Sequence, residues 1–232
     1  MAVQLNTYAG LQAGMLAWRG RVGDTLLSAR FDDFLANCED RMYYGFATED
    51  MGNPLRSDPL RIVEMETVNG SFALLTNGPQ ADSTPAPAGF LELISMTLAA
   101  PLGPMQVVSQ STIDGYTNDV LGVLPGPGLV AISGTNFRVF PPPGTGAFTA
   151  VLRYYQSLAT PTGSSVNAIL TNYSSVYLYG VLIEAAIFEQ DTQAAQQYLG
   201  LYNAQVSGLN ARTQRITASA RPMIRVRAGM IV

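Results

Sequence analysis

The 232-residue sequence contains no histidine and no lysine; all 13 of its basic residues are arginine. Without an imidazole, Ser-His and Cys-His nucleophilic pairs and His-ligated zinc are excluded. Without a lysine amine, Walker-type phosphate cradling and Schiff-base chemistry are excluded as well. Cys38 is the only cysteine, which rules out an intrachain disulfide and a multi-cysteine metal site. It falls in a helical apolar pattern with no cationic helix start beside it, the setting of a buried, unreactive thiol. Long apolar runs are missing too. The longest, residues 176–183, is far short of the roughly 20 residues that a membrane span needs. The N-terminus has no charged-then-apolar leader, so a soluble protein without a membrane partner is expected. Only an enzyme built on carboxylates passes these filters.

What remains is rich in apolar and turn-forming residues: 47% hydrophobic, with 22 Gly and 14 Pro against 13% charged. That composition predicts a packed core with long turns, in one large or two small domains. The net charge of −4 is unevenly spread. Beyond Asp191 there are five arginines, Arg212, Arg215, Arg221, Arg225 and Arg227, and no acid. A basic terminal arm of this kind meets an acidic surface or nucleic acid.

Along the chain, Tyr8, Leu11, Met15 and Trp18 share one helical face behind Asn6 or Thr7 as N-cap. Asp24 caps a second helix with the stripe Leu27, Phe31, Phe34, Leu35, Cys38 and Met42, ending near Gly45. From Leu60 the period changes to two, and Asn69-Gly70 predicts a hairpin turn. Further strands are expected over residues 90–98, 105–109, 129–132, 137–140 and 148–155, joined by breaker-rich connections at 77–89, 121–128 and 141–146. Residues 176–188 hold a single charge, Glu184, and are otherwise apolar or Gly on every face. Such a helix must be enclosed by protein all round, with an Arg or several backbone donors on Glu184. A last helix carries Ala195, Tyr198, Tyr202, Val206 and Leu209, and Pro222 makes the segment after it an extended arm. The reading is an α+β, mainly α fold: a helical bundle with an inserted small β region. Its parts are 1–59 (helical hairpin), 60–160 (β region), 161–213 (helices completing the bundle) and 214–232 (basic arm).

No catalytic site emerges from the carboxylates. Asp32-Asp33 and Glu39-Asp40 are adjacent on a helix and so point about 100° apart. Glu64 and Glu66 are expected on one strand face, and with Glu92 and Asp114 they form the acids available to a glycosidase. The tyrosines at 154, 155, 173, 177, 179, 198 and 202 have core spacing and lack the interleaved basic residues of a nucleic-acid platform.

Several segments resemble the head-tail adaptor (connector) proteins of tailed bacteriophages, the ring-forming subunits beneath the portal. Thr7-Tyr8-x-x-Leu11 through Trp18 is similar to the family's opening helix, and Phe31 to Ala36 with Glu39 and Arg41 to its second. Phe90-Leu91-Glu92-Leu93, Pro104 to Ser109, Ile132-Ser133-Gly134 with Phe137-Arg138, and Leu152-x-Tyr154-Tyr155 resemble its strands. The most specific segment is Tyr177-Leu178-Tyr179-Gly180-x-Leu182-x-Glu184-Ala185, with Tyr177, Tyr179, Gly180 and Glu184 as structural signature.

The resemblance implies a virion structural protein rather than an enzyme, with no cofactor, no metal and no catalytic residue. It implies a ring of twelve copies on the portal protein, receiving a downstream tail or nozzle protein and passing genomic DNA without sequence-specific contact. The protein would be assembled in the host cytoplasm and would reside at the head-tail interface of the virion. By the same analogy the C-terminal end, with Arg212, Arg215, Arg221, Arg225, Arg227, Met223 and Ile224, carries the portal or partner contact. The other function classes are a carboxylate-dependent virion glycosidase and a capsid-decorating or tail binding module.

Overall fold

A computed structural model describes residues 4–46, 56–74, 83–99, 103–116, 128–141 and 148–219. In chain order the helices are α1 (Tyr8–Trp18), α2 (Thr25–Ala29), α3 (Phe31–Tyr44), α4 (Gln110–Tyr116), α5 (Ala168–Asn172), α6 (Ser174–Phe188) and α7 (Thr192–Ser219). The strands are β1 (Glu66–Leu74), β2 (Ser83–Pro85), β3 (Phe90–Leu98), β4 (Gly103–Pro104), β5 (Gln106–Val107), β6 (Leu129–Ser133), β7 (Asn136–Phe140) and β8 (Phe148–Gln156). The fold is thus α+β. Two compact units divide it: residues 1–64 with 159–232, and residues 65–158.

In the helical unit, Thr7 caps α1 by accepting from the Gly10 amide, and Asp24 caps α2 by accepting from the Leu26 and Leu27 amides. The single helix expected after Asp24 is two helices, because the chain leaves helical geometry at Arg30 before α3 begins. The expected stripe holds across that break: Leu27, Phe31, Phe34, Leu35, Cys38 and Met42 are all buried. Gly45 ends α3 with φ +71°, a conformation that favours glycine. Helix α6 is covered by α1, α3, α5 and α7. From Val176 to Ala186 nine of its residues are buried, and only its last turn, at Ile187 and Phe188, reaches the surface. Arg19, at the end of α1, closes over the α6–α7 turn by bonding Glu189 (Nε to Oε2, 2.7 Å) and Asp191 (3.2 Å).

Helix α7 corrects the sequence reading at its end. It continues to Ser219, so residues 214–219, expected in the extended arm, are helical, and the rest of that arm lies outside the described residues. Ala195, Leu199, Tyr202, Val206 and Thr213 are its buried side. The Thr217 hydroxyl bonds the Thr213 carbonyl in the final turns.

Among the described residues the β unit has two four-stranded sheets, ordered β1-β8-β3-β4 and β2-β7-β6-β5. They share one core. Phe72, Leu74, Met96, Leu98, Ala150, Leu152 and Tyr154 from the first sheet meet Val130, Phe137 and Val139 from the second. Phe137 stands edge-on to both Phe72 and Phe90. On the other side of β6 and β7, Ile113 of α4 packs with Ala131 and Phe140.

Two expectations fail in and before β1. Residues 60–65 are not strand: Leu60 and Ile62 are buried in the helical unit, and Val63–Met65 form a 3-10 turn. Nor does Asn69-Gly70 turn the chain. β1 runs through it as one strand antiparallel to β8, with an irregularity between Asn69 and Phe72 where the extra residue is absorbed. The Asn69 side chain accepts from the Ser71 amide there. Phe72 and Leu74 must reach the core beside Ala150 and Phe148, and that long-range pairing overrides the local turn signal. The helices α4 and α5, seven and five residues long, were not expected because neither spans enough turns to show a periodic stripe.

Gly180 marks the tightest approach to α6. A Cβ built there would lie 2.2 Å from Cys38 Sγ and 3.6 Å from Tyr202 Cε2. Overpacking a closed core costs about 1–3 kcal/mol, more than the roughly 1 kcal/mol of helix propensity that Gly→Ala returns. Gly180→Ala should therefore lose stability in urea denaturation and recover part of it in a Cys38→Ala background, whereas Gly180→Leu should give no soluble folded protein. The same changes at Gly163, which faces open space, should be near neutral. Equal losses at 180 and 163 would contradict the enclosure of α6.

Candidate functional site

Three residues of the α6 signature, Tyr177, Gly180 and Glu184, meet α3, which brings a carboxylate to the Tyr177 hydroxyl and a guanidinium to Glu184. Arg41 donates from Nε (3.0 Å) and Nη2 (2.7 Å) to Glu184 Oε1, both side chains being about nine-tenths buried. The guanidinium also lies 4.9 Å from the centre of the Phe46 ring. Removing one partner of such a pair strands a charge in the interior and costs about 3–5 kcal/mol.

Two residues earlier, Glu39 is buried without a guanidinium on it among the described residues. It accepts from the Tyr177 hydroxyl (Oε1, 2.7 Å) and from the Thr160 hydroxyl (Oε2, 2.5 Å). Asn167 donates to the Tyr177 oxygen (2.7 Å) and to the Ala159 carbonyl (3.0 Å), while its own carbonyl caps α5 at the Leu170 amide. Burial raises the Glu39 pKa above the usual carboxylate value, the two hydroxyl donors offset part of that, and Asp40 adds to it. Burial likewise pushes up the Tyr177 hydroxyl, reinforced by Tyr43 and Glu39, and the Cys38 thiol, reinforced by Glu184 and Glu39. A thiol held protonated and fully buried is not a nucleophile. Tyr179 places its ring against Trp18 of α1, edge to face.

The acids available for hydrolysis are dispersed and engaged. Glu64 lies in the 3-10 turn and accepts from the Tyr173 hydroxyl at 2.6 Å; Glu66 opens β1 and pairs with Arg153 at 3.0 Å. They do not share a strand face, contrary to the alternation in the sequence. Asp114 pairs with Arg138 at 2.6 Å, and Glu92 stands in β3 opposite Tyr155. No group of three or more Cys, Asp or Glu that could hold a metal ion occurs among the described residues, and no helix there is long and apolar enough to cross a membrane.

Of the C-terminal partner residues, Arg212 and Arg215 are exposed on α7. Arg212 donates from Nη1 to the Tyr173 hydroxyl at 3.1 Å, so Arg212, Tyr173 and Glu64 form a chain. Arg221, Met223, Ile224, Arg225 and Arg227 lie outside the described residues. Sequence reasoning missed the roles of Arg41, Glu39, Thr160 and Asn167. Glu39 and Arg41 gave a signal, since both interrupt the buried run from Leu35 to Met42; Thr160 and Asn167 gave none.

The raised pKa of Glu39 fixes a sign for pH dependence. The stability tied to its protonation is fully present below the unfolded carboxylate pKa and is lost as pH rises through the higher folded value. Glu39→Gln cannot ionise. Its unfolding free energy relative to the parent should therefore improve as pH is raised from about 4 towards neutrality, and a difference independent of pH would contradict the assignment.

Comparison with known proteins places the chain in a family. The family model described as SU10 adaptor protein matches residues 6–226, a span that takes in α1 through α7 and both units. No curated protein matches the chain. With nearly its whole length covered by one family model, the chain belongs to the SU10 adaptor protein family of phage adaptors.

Proposed function

We propose that the protein is the repeating subunit of a head-tail adaptor ring of twelve copies, bound beneath the portal, extending the DNA channel and offering an attachment site to the next tail component. The observation that carries this reading is the family match over residues 6–226. Phage adaptors are structural components of the virion, and the side-chain inventory fits such a role. The thiol is buried, and of the acids that could serve a glycosidase Glu66 and Asp114 are held by arginine and Glu64 by tyrosine. A closed ring requires a heterologous contact in which each subunit offers two different, complementary surfaces. Arg212 and Arg215, with Arg221, Arg225, Arg227, Met223 and Ile224 beyond them, form the end of the chain assigned here to partner contact. DNA in the channel must slide, so only non-specific phosphate attraction suits it.

Co-expression with the cognate portal tests this reading. The full chain should co-purify with the portal as a complex containing twelve copies by native mass spectrometry. A chain ended at Ser219 should keep its helical circular dichroism and fail to assemble on the portal. A full chain that does not associate with the portal would overturn the adaptor ring, and a shortened chain that still assembles would remove the C-terminal end from the contact.

A further inference from the structure

The enclosed helix α6 meets the surface at its last turn, beside a carboxylate that is only half used. Arg41 directs both Nε and Nη2 to the same atom, Glu184 Oε1. An arginine fork set squarely on a carboxylate gives one donor to each oxygen, yet here no donor among the described residues reaches Oε2. Nor does Oε2 belong with the sealed, unpartnered side-chain atoms of the described residues, which are Ser57 Oγ, Tyr202 Oη and Asn203 Oδ1. It therefore opens outward from a side chain that is nine-tenths buried. An ionised carboxylate offers about four acceptor sites, and one held this far from water is stabilised by a donor that fills them.

Glu184 lines a cleft of about 270 Å³ between α3 and the end of α6. The cleft has apolar walls: Ile187, and Phe34 and Phe188 with ring centres 5.6 Å apart. Ile187 and Phe188 are 39% and 44% exposed, although the rest of α6 is largely enclosed. On the α3 side stand Asn37 and Asp33, the latter with Arg30 on it at 3.1 Å. Glu184 and Asn37 also line an adjoining hollow with Asp40 and Tyr44, so acids and aromatic rings recur around the carboxylate. Drug-sized ligands occupy pockets from about 300 Å³ upward; this cleft fits one long side chain. Apolar walls beside a carboxylate oxygen suit an aliphatic stem with a cationic head, which covers its methylenes and keeps its donors for the acid. The aromatic faces attract the same cation.

We propose that this cleft receives an arginine or lysine side chain of the tail component that docks on the adaptor. The head group donates to Glu184 Oε2, and the stem lies along Ile187 and Phe188. The identity of the partner rests on the adaptor-ring reading. A second copy of the chain is poorly equipped for the part, since it has no lysine. Among the described residues every arginine but Arg215 already has a carboxylate, carbonyl or hydroxyl oxygen of its own subunit on it. Arg215 belongs to the end of the chain assigned above to the portal. The cation then comes from a different protein, and the next tail component is the one that an adaptor has to hold.

Two experiments on the full chain test this. In the first, n-butylguanidinium is titrated into protein with isotope-labelled isoleucine methyls, with n-butylurea as the uncharged control of the same shape. The Ile187 methyl should shift with n-butylguanidinium and not with n-butylurea. The variant R41M/E184M removes the buried pair together and so strands no charge; its affinity for n-butylguanidinium should fall about tenfold, the loss of one charge-assisted hydrogen bond. Equal shifts with the two probes, or an unchanged affinity in folded R41M/E184M, would overturn the site. In the second, I187R brings a guanidinium of the chain's own to the mouth of the cleft. Parent and variant should form the same ring on the portal, while the variant ring retains several-fold less of the tail component. Undiminished tail attachment would overturn the assignment, and so would loss of the ring in I187R, which would put a second copy or the portal in the cleft. A parent chain that forms no ring overturns the adaptor reading, and the n-butylguanidinium titration still decides the cleft.

Discussion

An apolar helix enclosed on nearly every side cannot carry a carboxylate unless another element brings the counter-charge to it. Helix α6 carries Glu184, and α3 brings Arg41. That requirement fixes more than one contact. Because Cys38, Glu39 and Arg41 follow closely on α3, seating Arg41 on Glu184 accompanies Glu39 at the Tyr177 hydroxyl and Cys38 Sγ over Gly180. A shift of one helical turn along α3 would break both polar contacts and drive a larger side chain against the glycine. The network also recruits segments distant in sequence: Thr160 and Asn167 join through Glu39 and Tyr177, and Asn167 in turn starts α5. Apolar burial supplies most of the stabilisation of such a core; the polar contacts select one register among many that would bury similar area.

This dependence explains what could be read from the sequence. The long periodic elements were legible: α1, the stripe of α3, the enclosed α6, and β3, β6, β7 and β8 follow from apolar spacing and breakers. The need for a partner at Glu184 was legible from the cost of burying charge, but not that Arg41 supplies it, since that depends on how α3 packs on α6. Pairing across the chain was not legible. Asn69-Gly70 has the chemistry of a hairpin turn, yet β8 holds the strand straight through it because Phe72 and Leu74 are needed in the core. Glu64 and Glu66 alternate like neighbours on one strand, but the chain enters β1 from a 3-10 turn and separates their roles. The last turns of α7 were hidden for a related reason: residues 214–219 are polar enough to read as tail, and residues 214–217 are exposed, so no buried stripe marks the helix there.

Function is read here from how side chains are used. Groups that could do chemistry are committed to structure, with the thiol pressed on Gly180, one carboxylate raised in pKa between two hydroxyls, and others paired with arginine. The described surface adds features of another kind: the long strand β1 at a sheet edge and the exposed Arg215 near the end of α7. An adaptor works by holding neighbours in fixed geometry, and these are the kinds of surface such work uses.

The most direct test is a reconstruction of the virion neck by electron cryomicroscopy, averaged without imposed symmetry. The account predicts twelve copies of the chain in one ring immediately beneath the portal, each with α6 recognisable at the centre of its helical unit and the DNA channel running through the ring. Density for the chain on the capsid lattice, at a fibre or at the distal end of the tail would contradict it.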